Sequence, residues 1–121
     1  MTTMLDIRTN TADTISNLAC DIVIDIDNVD PSWNGHLNES VNYLFKLEES
    51  VRFEGMPPQD GIVGVNQLIR LCNDFGVPCP LSQECWDAYA HKFKALLADI
   101  ELVELLVDIA AVSESAAVTV N

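Results

Sequence analysis

The clearest pattern in the chain runs from Ser82 to Val112. Apolar residues recur at Trp86, Tyr89, Phe93, Leu96, Leu97, Ile100, Val103 and Val107. Steps of three and four place them on one side of a helix with 3.6 residues per turn. Ser82 is a suitable N-cap, since its hydroxyl can accept from a free first-turn N–H. No Gly or Pro interrupts the stretch as far as Ala111, so nothing there breaks a helix. Over the first half, Glu84, Asp87, His91 and Lys94 occupy the opposite face as an ordinary solvated surface. From Ile100 on, that opposite face is apolar too. Leu102, Leu105, Ile109 and Val112 form a second seam of coiled-coil spacing, extended backward by Ala95 and Ala98. A narrow acidic stripe, Glu101, Glu104 and Asp108, separates the two seams. A helix apolar on nearly all sides has to be covered on both. Either its own domain wraps it as a central helix, or the second seam meets another subunit or a partner.

Three further segments carry helical spacing. Between Thr11 and Asp30 the apolar positions are Ile15, Leu18, Ala19, Ile22, Ile26 and Val29. Asp21 to Asp27 also alternates in the manner of a strand, and its β-branched residues favour one. Helix explains more positions, and a lone strand would need a partner; the one other β-rich candidate is Ala116 to Val120. Leu37, Val41, Leu44, Phe45, Leu47 and Val51 mark a second helix, opening near Asn38 or Ser40 and ending about Phe53. Ile62, Val65, Leu68, Ile69, Cys72 and Phe75 mark a third, with Asp60 as expected N-cap and Gly76 just past the end. Gly61 and Gly64 in its first turns cost about 1 kcal/mol each relative to Ala in an exposed helix, which points to close approach by another backbone. Met1 to Asn10 reads as a loose or extended N-terminal arm that Met4, Leu5 and Ile7 could pin to the core, and residues 113–121 as a frayed C-terminal tail. The expected fold is all-α: one domain, an irregular bundle of about four helices with the long C-terminal helix at its centre.

Composition narrows the function. The chain has 121 residues, and its 49% hydrophobic content supports a folded core rather than an acidic disordered tail. Nineteen acids against six Lys and Arg give a net charge of −13. Such a surplus costs stability through self-repulsion and suits solubility or a basic partner; direct nucleic-acid binding is disfavoured, because phosphates repel the surface. The 13 residues from Ile100 to Val112, with three carboxylates among them, fall short of the roughly 20 apolar residues of a membrane span. Met1 to Asn10 lacks the apolar core of a secretory signal, and four scattered cysteines suit a reduced, cytoplasmic setting.

Candidate chemistry is thin. Asp25 to Asp30 fails as a calcium loop, since Val29, Asp30 and His36 stand where a ligand, Gly and Glu are needed. Cys72, Cys79, Cys85 and His91 lack the close ligand pair of structural zinc sites. Gly61 and Gly64 belong to no phosphate loop, and no nucleophile motif accompanies His36 or His91. We expect no catalysis, no metal and no cofactor. The expected function is inhibition or sequestration of a basic, nucleic-acid-binding protein or complex. Its contact residues would be Asp21, Asp25, Asp27 and Asp30 on one element and Glu101, Glu104 and Asp108 on another. Small acidic proteins of phage and mobile elements that block nucleases or defence complexes, including anti-restriction and anti-CRISPR nucleic-acid mimics, are alike in size and charge. Carboxylates about 5 Å apart along a helix reproduce only part of a phosphate track. The alternative is a homo-oligomeric assembly or scaffold protein, with a homodimer formed through Leu102, Leu105, Ile109 and Val112.

Overall fold

A computed structural model describes residues 2–120, with side chains described as far as Ala111. It is an all-α bundle of four helices: α1 (Met4–Ile24), α2 (Asn34–Phe53), α3 (Pro58–Asp74) and α4 (Gln83–Val120). Two short 3-10 turns, Ile26–Asn28 and Pro31–Trp33, join α1 to α2.

The first ten residues are not a loose arm. Thr3 caps α1 by a reciprocal pair: its hydroxyl accepts the Asp6 N–H at 3.1 Å, and the Asp6 carboxylate accepts the Thr3 N–H at 3.0 Å. The Thr3 bonds hold the Asp6 carboxyl below the usual range. Two orphan donors of the first turn are thereby satisfied, and the carboxylate also complements the helix dipole. The helix ends at Ile24, where Asp21 to Ile24 complete its last turn and the chain tightens into the 3-10 turn. The alternation of Asp21 to Asp27 makes no strand, because no neighbouring chain lies there to pair with; Val23 and Ile24 are simply exposed.

The hub of the bundle is α1 rather than α4. It buries Ile7, Thr11, Ala12, Ile15, Leu18, Ala19 and Ile22 and touches all three other helices. Arg8 donates to the carbonyls of Val51 and Met56 at 2.6 and 2.8 Å, and Arg52 pairs with Asp13 at 2.8 Å. These contacts set the start of α1 beside the end of α2, so the pair is antiparallel. Helix α3 begins at Pro58, two residues before the expected cap; Pro suits a first turn, where its missing N–H leaves no bond unmade. Its glycines do permit close packing, against side chains rather than backbone. A Cβ on Gly61 would sit 2.6 Å from Val51 Cγ2, and one on Gly64 would sit 2.9 Å from Leu47 Cδ2. Helix α2 starts at Asn34, four residues before Asn38.

Helix α4 starts as expected: Ser82 Oγ accepts the Cys85 N–H at 3.1 Å. It buries one stripe, Tyr89, Phe93, Leu96 and Ile100. Tyr89 donates its hydroxyl proton to the Asp21 carboxylate, which pins the start of α4 beside the end of α1. The two helices therefore run antiparallel. At 1.5 Å per residue α1 extends back about 25 Å from Asp21 to Met4, a length α4 covers by about Leu106. The 38 residues of α4 reach well beyond that. Its helix continues through Ser113 to Val120 in place of a frayed tail, consistent with the absence of Gly and Pro.

Candidate functional site

Where α4 outruns α1 it also loses its cover. Among the described side chains Val103 is the last half-buried one, and every side chain from Glu104 to Ala111 is exposed. Leu102, Leu105, Leu106, Val107 and Ile109 lie between 48% and 61% exposed. The central-helix reading therefore fails for this half, and Val107 does not join the core stripe as its spacing suggests. At 100° per residue Leu102, Leu105 and Ile109 fall on one flank, while Val103, Leu106 and Ala110 fall on the other. Glu101, Glu104 and Asp108 form a stripe about 60° wide between the Leu102 flank and the buried stripe of α4, all exposed. The fourth residue of the expected seam, Val112, has its side chain outside the described residues.

The charge of this half is one-sided. The last cation of the chain is Lys94; from Ala95 to Asn121 there are five acids, Asp99, Glu101, Glu104, Asp108 and Glu114, and no Lys, Arg or His. Elsewhere cations are partly committed to structure. Arg8 and Arg52 make the contacts given above, and Lys92 lies over the Tyr89 ring at 5.6 Å from its centroid.

The other expected acidic group is dispersed. Asp21 is half-buried in α1 and holds Tyr89. Asp25 is the half-buried C-cap of α1, Asp27 lies exposed in the first 3-10 turn, and Asp30 caps the second. The Asp30 carboxylate accepts the Ser32 N–H at 2.9 Å, a bond that holds its carboxyl below the usual range. Asp108 stands 19 residues along α4 from Tyr89, the partner of Asp21, which is about 28 Å. The two groups sit toward opposite ends of the bundle and make no single acidic face. Sequence spacing gives each group separately; the distance between them depends on helix direction.

All four cysteines are free thiols. Burial, reinforced by Asp21 and Asp25, pushes the Cys85 thiol up, away from the thiolate a nucleophile needs. His36 lies against Trp33 with ring centroids 5.7 Å apart, and His91 is exposed on α4. Among the described residues no three His, Cys, Asp or Glu side chains converge as a metal set. No described helix is long and apolar enough to cross a membrane. Comparison with protein-family models, curated proteins and solved structures finds no match.

Proposed function

We propose that the chain is a small acidic, non-enzymatic binding protein. It offers the free half of α4 to a basic protein, one that itself binds nucleic acid, and thereby inhibits or sequesters it. The observation that carries this reading is the uncovered flank Leu102, Leu105 and Ile109 beside Glu101, Glu104 and Asp108, in a segment without a cation. Helix-in-groove recognition uses this combination: apolar anchors at helical spacing supply affinity, and charge at the rim steers the encounter. A groove lined by apolar residues and edged by Lys or Arg is complementary to it. The class analogy with phage-type inhibitors of restriction or CRISPR complexes enters on charge and size, with contact by an apolar-acidic helix rather than a continuous acidic track. Direct contact with nucleic acid and membrane insertion are not part of the proposal.

Self-association is the second reading, favoured by the apolar character of both flanks of α4. It ranks below the first because a second copy would bring five more acids and no cation to the rim. Each pair of carboxylates about 10 Å apart in water repels by about 0.4 kcal/mol.

The test is capture from host-cell lysate with the full chain and with a Leu105→Glu/Ile109→Glu variant, washed at low and high salt, alongside a mass measurement in solution. Retention of one nucleic-acid-binding protein that salt weakens and the double variant loses supports the proposal. Recovery of bait alone, with a dimeric mass that salt strengthens, overturns it in favour of self-association.

A further inference from the structure

At the other end of the bundle, away from the free half of α4, lies a cavity. Its volume is about 280 Å³, and all four helices and the Val77–Leu81 link line it. Leu18, Leu44, Ile69, Leu81 and Trp86 are among the apolar residues of its wall. The cavity is partly open to solvent; an apolar cavity of about 150 Å³ suffices to hold benzene. A space this large between packed helices is of ligand size. The charge of the lining decides the ligand class: in a chain that is 21% charged, none of the lining residues is Asp, Glu, Lys, Arg or His. A charged ligand would lose part of its hydration there and gain no counter-charge.

Ser40, Asn73 and Gln83 bring polar side chains to the lining, and Gln83 is engaged with Asp87, to which it donates at 2.8 Å. Ser40 Oγ donates its single proton to the His36 carbonyl at 3.0 Å. Cys72 Sγ lies 3.7 Å from Ser40 Oγ, a contact that takes up at most one lone pair of the hydroxyl oxygen. A hydroxyl oxygen has two lone pairs, so at least one remains. The wall therefore presents an acceptor. Over the cavity, the link is tied at two points: the Val77 N–H donates to the Cys72 carbonyl at 2.8 Å, and the Asn28 side chain donates to the Pro80 carbonyl at 3.1 Å.

We propose that this cavity binds an uncharged, mainly apolar molecule of two-ring aromatic size whose single N–H or O–H donates to Ser40. The site is independent of the α4 surface. The probe is 2-naphthol, with naphthalene and 2-naphthoate as comparators, titrated into the full chain and followed by methyl NMR. Saturable shifts of the Leu18, Leu44 and Ile69 methyls, with a Kd below about 1 mM and the Ile7 and Ile100 methyls unmoved, are expected. Ser40→Ala should weaken 2-naphthol about 5- to 10-fold, the loss of one hydrogen bond, and leave naphthalene unchanged. Cys72→Phe should occlude the space and abolish both shifts; its fold is checked by melting, and if it does not fold the Ser40→Ala comparison decides. No saturable shift at the cavity methyls, equal binding of 2-naphthoate, or an equal loss of both ligands in Ser40→Ala would overturn the proposal.

Discussion

Ile100 and Leu105 lie five residues apart on α4, and the structure assigns them opposite energetic roles. Ile100 is 3% exposed, inside the cluster that includes Ile7 and Leu96; Leu105 is 55% exposed. Ile100→Ala deletes buried carbons and leaves a void, a change that costs 2–5 kcal/mol in packed cores. Ile100 closes the core stripe of α4, where neighbours on one side are fewer, so about 3 kcal/mol is expected. For a chain of this length that corresponds to a fall in Tm of about 12 °C. Leu105→Ala removes carbons already in contact with water, and Ala is a slightly better helix former, so its effect should lie within about 0.5 kcal/mol. Urea and thermal unfolding followed by circular dichroism, each at two protein concentrations, measures both. A loss above about 1.5 kcal/mol for Leu105→Ala at both concentrations would mean that the free half of α4 is packed by its own chain, and the site would dissolve into the core. A loss that grows with concentration would mean a second copy covers it.

The glycines of the bundle should separate by what a methyl group meets. Gly61→Ala puts a Cβ 2.6 Å from Val51 Cγ2 and should destabilise by about 1–2 kcal/mol, whereas Gly35→Ala, in α2 with nothing within 4 Å, should stabilise by about 0.5–1 kcal/mol; chemical unfolding ranks them. Thr11 is fully buried with no partner for its hydroxyl oxygen, so the isosteric Thr11→Val should gain about 1 kcal/mol in the same assay. Tyr89→Phe should cost about 1–2 kcal/mol at neutral pH by leaving the half-buried Asp21 carboxylate without its donor. Burial, then the Asp21 bond, raises the phenol in the fold. Its stabilisation is thus complete below the unfolded value near 10 and lost as pH climbs above it; an unfolding series into alkali should show that decline in the wild type and a flatter profile in the variant.

Periodicity carried most of the fold because the buried stripes are regular. Leu37, Val41, Leu44, Leu47 and Val51 sit inside α2 at the spacing that marks them. The start of α1 was legible too, through Thr3 and Asp6, but as a capping box with Asp in the place where Glu or Gln is usual it reads weakly beside the polar run that follows. The identity of the central helix was not legible. Residues 84–100 and 7–22 have stripes of similar quality, and only the turn geometry at Ile26–Trp33 and the Tyr89–Asp21 contact decide which helix the others surround. The second seam of α4 was visible as a pattern whose meaning depended on length. Coverage ends because α1 is 21 residues long and α4 is 38, a comparison that needs both boundaries and the antiparallel register.

A free apolar helix is a liability for a protein that meets itself at every collision, and the acidic surplus supplies the counterweight. Contiguous exposed apolar surface on this scale promotes association unless something keeps copies apart. At neutral pH the charge of −13 does so, and the five acids after Lys94 do it at the surface itself. The same carboxylates thus serve solubility and the choice of a basic partner. The two roles separate with pH. Near the isoelectric point of about 4.1 the repulsion vanishes while Leu102, Leu105 and Ile109 remain uncovered. Light scattering should rise steeply as pH falls toward that value, at a pH where circular dichroism still reports a folded helical chain. Leu105→Glu/Ile109→Glu removes the apolar contacts, and two more carboxylates shift the isoelectric point only slightly; it should stay dispersed under the same conditions. If the double variant scatters as strongly as the wild type, the association runs through another surface, and the exposed flank of α4 is not what the acids guard.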